Sequence, residues 1–468
     1  MRRVNVRPLV LVASLLAAAP LARAQESELV SGKRALTLEE CVGSALRSNP
    51  ALLAARDQSD AARGRAQQAR GALLPQITGS ASTLRAEAEA RLDLLAGNPV
   101  DSPKNRFVET SAGLSLQQSV LSLSLWNNLR SARSSQRSTE AAFRTSQEDV
   151  VLSTETAYFN YLKAIHLEEV AHENLKVGEE QLKLAEKRRE VGIGVEADLL
   201  KARAQNAQDR LGVINAEKDT KLARTALCHV MGISLDSPLV VEDIDPAGAV
   251  EAAPRLDIDA ALAERPELVD QRHRVRAAEH TLGAAKGERY PNLDFQFNYA
   301  RRIDAENKRF DVPIRDTTGA VVDIRDFVDE FEAYGRWSAS LGLTLPIFRG
   351  GSTRGRINET RANLAAEREF LEQAERDARL EIERATLNVA AAAEAISVSR
   401  EGVVAAEEDL RVSQGSYTHG LVPILNLVTA KAALVEAKNA NVSATYDYRI
   451  SLAELERALG RGASKYAR

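Results

Sequence analysis

The chain has 468 residues, with 62 Lys and Arg against 66 Asp and Glu, 44% hydrophobic side chains and only two cysteines. That balance argues against a nucleic-acid binder by bulk charge, and two cysteines exclude a disulfide-stapled scaffold. The six histidines, His166, His172, His229, His273, His280 and His419, form no HExxH, no paired-histidine spacing and no nucleophile constellation, so no cofactor, metal or catalytic site is expected.

The first element is a predicted secretory signal over residues 1–24. Arg2, Arg3 and Arg7 precede an apolar run from Leu9 to Ala19, and Ala22-Arg23-Ala24 is a small-x-small cleavage site. The run falls well short of the ~20 apolar residues of a membrane span, and no lipid-acceptor cysteine follows. Removing its four arginines leaves 58 basic against 66 acidic residues, a net charge of about -8. Cys41 and Cys228 read as small helix residues, and sequence does not settle whether they are bridged.

From Gln25 the chain states one pattern twice: a helix, two alternating strands and a long helical hairpin. Asn49-Pro50-Ala51-Leu52 leads to Leu74-Pro75-Gln76-Ile77 as Arg265-Pro266-Glu267-Leu268 leads to Tyr290-Pro291-Asn292-Leu293, each pair 216 positions apart. Gly192 to Ala202, with Val195, Asp198 and Leu199, matches Gly420 to Ala430, with Pro423, Asn426, Leu427 and Thr429, at an offset of 228. The extra length lies between the two strands of the second copy. These matches place the repeats at 25–250 and 255–468, with a linker over about 235–254 marked by Pro238, Asp243, Asp245, Pro246, Gly248 and Pro254. Such a composition also fits a domain boundary, but the reading preferred is that both copies share one barrel and neither folds alone.

Two stretches, from about Leu129 to Arg189 and from about Arg356 to Tyr417, run without proline and are rich in Ala, Glu, Gln, Arg and Leu. At 1.5 Å per residue each predicts a rod of roughly 90 Å. Ile396, Val403, Leu410 and Tyr417 recur every seven residues, and Leu175 and Leu182 hold the matching positions in the first copy, which is coiled-coil spacing. Second helical runs follow from Ala197 to about Val230 and from Ile424 to about Leu459. Gly192-Ile193-Gly194 lacks the third glycine and the preceding strand of a phosphate loop, so a turn is expected there.

The strands alternate. Leu293, Phe295, Phe297 and Tyr299 alternate with Asp294, Gln296 and Asn298, and Trp337, Ala339, Leu341, Leu343 and Leu345 with Ser338, Ser340, Gly342 and Thr344. In the first copy Ala112, Leu114 and Leu116 alternate with Gly113, Ser115 and Gln117, and Ile77 to Ala81 does so more weakly. Alternation fits a half-buried soluble sheet, and equally a membrane barrel with one face to lipid and aromatic belts at Tyr299, Trp337 and Phe348. The signal segment favours the second. Four strands do not close a membrane barrel, which needs about eight or more, so the barrel must be shared; a trimer would give twelve strands. Residues 85–106, with Gly97-Asn98-Pro99, and 301–335, with Asp316-Thr317-Thr318-Gly319, are expected to be exposed outer loops. The fold class expected is therefore α+β, with antiparallel helical hairpins forming an α-barrel and four transmembrane β-strands per chain.

With Leu36-Thr37-Leu38-Glu39-Glu40, Gln118-Ser119-Val120, Trp126, Ala263-Glu264-Arg265-Pro266-Glu267-Leu268, Leu345-Pro346-Ile347-Phe348, Gly350-Gly351 and the two helical turns, the chain resembles the TolC-type outer-membrane efflux protein family over nearly its whole mature length. The resemblance implies a homotrimeric conduit in the outer-membrane lipid, extending into the periplasm. It would be opened by a periplasmic adaptor (membrane fusion) protein and an inner-membrane pump of the RND or ABC kind, with no cofactor and no enzyme activity. It places the periplasmic tips, and the docking and gate positions, at Gly192, Val195, Asp198, Tyr417, Gly420, Pro423, Asn426 and Thr429. The acidic pair that constricts the pore in relatives falls on Asn426 and Thr429, so this chain lacks it. The competing reading is a periplasmic coiled-coil structural or adaptor protein, which would show one helical hairpin and no lipid-facing alternation.

Overall fold

The computed structural model describes residues 35–89, 104–192, 195–243, 258–305, 309–315, 318, 320–328, 335–419 and 421–466. The predicted signal and cleavage site, Gly97-Asn98-Pro99, Gly420 and the linker residues 244–257 lie outside the described residues. The chain divides into two compact units, and each takes segments from both halves of the sequence.

The first unit comprises residues up to Leu53, Gln147–Leu256 and Ile382–Arg468. It opens with α1 (Leu38–Ser48), where Thr37 accepts from the Glu40 amide and the Glu40 carboxylate accepts from the Thr37 amide, a reciprocal cap. Asn49 then closes one helix and opens the next. Its Oδ1 accepts from the amides of Ala51 and Leu52 at the start of α2 (Pro50–Gly71), with Pro50 in the first-turn position where its missing N–H costs nothing. Its Nδ2 donates 2.8 Å to the Val230 carbonyl at the end of α4 (Glu196–Met231). Gly232 ends α4 at φ +71°, and a Cβ there would sit 2.4 Å from the Ser48 carbonyl oxygen, so only glycine lets this corner close.

The rest of this unit is the distal part of α3 (Leu123–Glu190), α4, the distal part of α7 (Ser352–Thr418) and α8 (Ile424–Ala458). Its main core gathers Cys41, Tyr158, Phe159, Leu162, Leu227, Cys228, Met231 and Tyr446. Both cysteines are buried and free, and burial pushes the Cys41 thiol up to about 12. Residues 235–243, at the start of the expected linker between repeats, are pinned: Leu239 and Val241 enter the core, and Leu36 pairs with Val241 in a parallel bridge. The Tyr158 hydroxyl donates 2.6 Å to the Glu242 carbonyl.

The second unit comprises Ala54–Ser146 and Asp257–Glu381. It holds β1 (Gln76–Glu89), β2 (Lys104–Leu121), α5 (Ile258–Glu264), α6 (Pro266–Gly287), β3 (Asn292–Ala305), β4 (Arg309–Arg315), β5 (Val321–Val328) and β6 (Gly335–Thr344). Four strands form one antiparallel sheet in the order β1-β2-β3-β6, so the two halves of the sequence meet at the β2–β3 seam. The helices pack through Val275, Leu282, Ala285, Ile357 and Leu364. Arg265, held extended by the proline that follows, is 2% exposed; it donates to the Ala378 carbonyl at 3.2 Å and also pairs with Glu267 and Glu381, tying the α5–α6 corner to α7.

The rods are longer than the sequence predicts, with 68 residues in α3 and 67 in α7, each about 100 Å of rise. The loop expectation for 301–335 is corrected: β3 runs on to Ala305, and β4 and β5 form a separate hairpin with Arg309 opposite Val328 and Pro313 opposite Ile324. Likewise β1 extends to Glu89 and β2 begins at Lys104, so residues 85–89 and 104–106 of the expected loop are strand.

Candidate functional site

Two regions concentrate the predicted site residues: the helical turns in the first unit and the four-stranded sheet in the second.

In the first turn, Gly192 adopts φ +77°, a conformation glycine reaches without Cβ strain, and the Gly192 amide closes onto the Arg189 carbonyl at 3.0 Å. Val195 is the N-cap residue of α4 and is exposed, with no side-chain cap. Glu196 and Asp198 lie in the first helical turn, where acidic side chains complement the positive end of the helix dipole. In the second turn Pro423 is the N-cap residue of α8 and is exposed. Asn426 and Thr429 are exposed on α8, whose first turn contains no acid; the Thr429 hydroxyl only bonds back to the Leu425 carbonyl at 2.9 Å.

The turns are brought together by a small apolar cluster of Ala185, Leu199, Ala202, Tyr417, Ile424 and Leu427, flanked by Leu182 and Leu410 of the heptad stripe. Tyr417 is its polar member, only 4% exposed. Burial pushes its phenol above the ordinary value, the Asp198 charge adds to that, and the Arg188 guanidinium opposes it. Arg188 was not singled out by sequence, yet it holds this residue twice. Its Nη1 donates 2.7 Å to the Tyr417 carbonyl, and its guanidinium lies 4.8 Å from the centre of the Tyr417 ring. The pair joins α3 to α7 across 229 positions of sequence.

A second contact that sequence reasoning missed ties the hairpins together further along. Lys431 of α8 and Asp209 of α4 form an ion pair at 2.6 Å with side chains 3% and 2% exposed. Asp209 also accepts from Asn174 and Gln205, each at 3.0 Å. Gly178 on α3 makes room for the pair, because a Cβ there would lie 2.2 Å from Asp209 Oδ2.

In the sheet, register turns alternation into two faces. Leu293 stands opposite Leu343, Phe295 opposite Leu341, Phe297 opposite Ala339 and Tyr299 opposite Trp337; on the other side Tyr299 meets Leu114, Phe297 meets Leu116, and Leu116 meets Ile77. The Phe297 and Trp337 rings stack at 6.4 Å. Gln76, Ser115, Gln296 and Ser340 occupy the opposite face. Leu341, Leu343 and Trp337 are exposed in the single chain, so an apolar sheet face is left bare. Phe348 is exposed beyond the end of β6 and belongs to no strand. Among the described residues no helix is long and apolar enough to cross a membrane.

The sequence profile described as "Outer membrane efflux protein" matches residues 41–233 and again 258–461. The chain belongs to the outer membrane efflux protein family. Members of this family sit in the outer membrane and reach into the periplasm, and this chain is such a protein. It is 26% identical over 441 residues to the outer membrane protein TolC of Vibrio cholerae, covering 92% of each chain. It is 23% identical to the alkaline protease secretion protein AprF of Pseudomonas aeruginosa, over 88% of this chain and 82% of that one. A crystal structure of a membrane protein from Pseudomonas aeruginosa has the same fold, with a TM-score of 0.76 at 21% identity, covering 90% of this chain and 93% of the other.

Proposed function

We propose that the chain is the passive exit duct of an efflux or secretion assembly, acting as a homotrimer with its sheet in outer-membrane lipid and its helical tips offered to a periplasmic adaptor and an inner-membrane pump. The observation that carries the reading is the sheet. Its strands β2, β3 and β6 present an apolar side, which β1 continues more weakly through Ile77 and Ala81, and a polar side, and among the described residues β1 and β6 are the edges of the sheet. In lipid an unpaired strand edge costs several kcal/mol for each unsatisfied backbone group, so closure has to come from other copies. Three copies give twelve strands, with Gln76, Ser115, Gln296 and Ser340 lining a wet lumen and Phe295, Phe297, Tyr299, Trp337, Leu341 and Leu343 meeting the acyl chains.

The two stretches matched by one profile, 41–233 and 258–461, support reading 25–250 and 255–468 as copies of one ancestral unit. Each compact unit nevertheless draws on both copies, which is why neither copy would fold alone. Gly192, Val195, Asp198, Tyr417, Pro423, Asn426 and Thr429 are inferred to form the docking and gate region. Arg188 and Tyr417 would be its latch, and opening would be a repacking of one helical hairpin against the other. Asn426 and Thr429 replace acids, so a cation-selecting constriction is not expected at those positions. The family and its relatives are channels, and transport here needs no catalytic group: energy comes from the pump.

The test is single-channel conductance of the detergent-extracted oligomer in a planar bilayer, after its mass is measured. Discrete, low-conductance openings from a trimer are expected. A monomer or dimer that stays in water without detergent and never inserts would replace the duct with a periplasmic scaffold.

A further inference from the structure

On the surface of the first helical hairpin, Glu168 and His172 of α3 and Glu217 of α4 converge. His172 Nε2 lies 3.8 Å from Glu168 Oε1 and 3.9 Å from Glu217 Oε1, and one ligand atom from each residue lies within 4.8 Å of the other two. Glu168 and His172 are four positions apart, so they share one face of α3. A search for paired histidines passes over this arrangement, because two of the three groups are carboxylates.

We propose that Glu168, His172 and Glu217 form a binding site for a divalent cation of the zinc class that clamps α3 to α4. Imidazole nitrogen and carboxylate oxygen are both zinc ligands, with bonds of about 2.0–2.2 Å and therefore donor atoms about 3.3 Å apart around a tetrahedral ion. Closing from 3.8–3.9 Å at the imidazole, and from no more than 4.8 Å between the carboxylates, asks for rotations of side chains that are 28–52% exposed, and the open side leaves a position for water.

Two further observations favour a cation. Among the described residues, neither Glu168 nor Glu217 has a Lys or Arg within ion-pair distance; His172 is their common partner. Two carboxylates held together without a fixed countercharge repel, and a dication relieves that repulsion. The helices that hold them are also fixed on both sides of the cluster. The Thr220 hydroxyl donates 3.2 Å to the Ala164 carbonyl on one side, and Asn174 Nδ2 donates 3.0 Å to Asp209 Oδ1 on the other. The ligands are thus presented on a preset frame. The positions 228 further along are Ile396, Arg400 and Thr445, which do not reproduce the set, so the site belongs to the first hairpin alone.

The proposal does not depend on the duct reading, and its test is separate. The full oligomer in detergent is stripped with a chelator and dialysed against zinc chloride at low micromolar free concentration, with bound metal measured by mass spectrometry and the thermal midpoint by circular dichroism. About one zinc per chain is expected, with a midpoint that rises with zinc. His172→Ala and Glu217→Gln should each weaken binding about tenfold or more and abolish the rise, while His229→Ala, outside the cluster, should change neither. Wild-type protein that retains no zinc, or His172→Ala and Glu217→Gln variants that bind as wild type does, would overturn the site.

Discussion

Replacing Lys431 by methionine should be among the most damaging single changes in the helical hairpins. The substitution keeps the length and apolar stem of the side chain and removes only the ammonium, leaving Asp209 charged at a position where its side chain is 2% exposed. Removing one partner of a buried ion pair costs about 3–5 kcal/mol. Because Asn174 and Gln205 still donate to Asp209, the lower end is expected, about 3 kcal/mol, or roughly a hundredfold in the folded-to-unfolded ratio. Asp209→Asn should cost a similar amount by stranding Lys431. The double variant should lose only about 1–3 kcal/mol, the cost of one unpaired amide, and so fall well short of the sum of the singles. Gly178→Ala attacks the same pair from α3: the gain in helix propensity of about 1 kcal/mol is outweighed because its Cβ cannot share space with Asp209 Oδ2. The assay is urea denaturation of the detergent-solubilised oligomer followed by far-ultraviolet circular dichroism. Singles costing less than about 1 kcal/mol, or a double variant equal to their sum, would refute the claim that the pair is dry and mutually dependent.

Three more changes probe other parts of the molecule. Arg188→Ala removes a charged hydrogen bond of about 1.5–3 kcal/mol and a cation–π contact of about 0.5–1 kcal/mol, so bilayer recordings should show more frequent openings; an unchanged open probability would remove Arg188 from the latch. Leu341→Arg, on the apolar face, should cost about 2–4 kcal/mol and impair insertion, while Ser340→Arg, one residue away on the polar face, should insert normally and change conductance; the reverse would turn the sheet inside out. Burial raises the Glu155 carboxyl above its ordinary value, against the lowering hydrogen bond from Tyr466, so the folded chain holds this proton to higher pH than the unfolded one and loses stability as pH rises through that window. Glu155→Gln, which can still accept from Tyr466, should therefore melt later than wild type at pH 7 and equally at a pH below the ordinary carboxyl value; an equal midpoint at pH 7 would contradict the sign.

What was legible in the sequence was whatever repeats with a fixed period. The long proline-free stretches and the seven-residue stripe at Leu410 and Tyr417 announced rods and their contact, and the alternation of Phe295, Phe297 and Tyr299 announced a sheet face. The β4–β5 hairpin carries the same signal, with Phe310, Val312 and Ile314 alternating with Arg309, Asp311 and Arg315, but Pro313 and the charges within it favour a loop on sequence alone. Arg188 and Lys431 were beyond reach. Their partners lie 229 and 222 positions away, and nothing local distinguishes them from the many other cations on amphipathic helices.

The β2–β3 seam has a consequence for how the protein is made. β1 and β2 adjoin in sequence and can pair early, but β2 must wait for β3, and α3, α4, α5 and α6 are all translated and exported in between. During that interval a hairpin with an open backbone edge and the apolar side chains of Ile77, Leu114 and Leu116 uncovered is present in water, the kind of species that aggregates or is cut. Ladders between strands so distant in sequence also form slowly. The chain is therefore most vulnerable during export, and products truncated before Asn292 should depend on periplasmic holding factors and be degraded fastest.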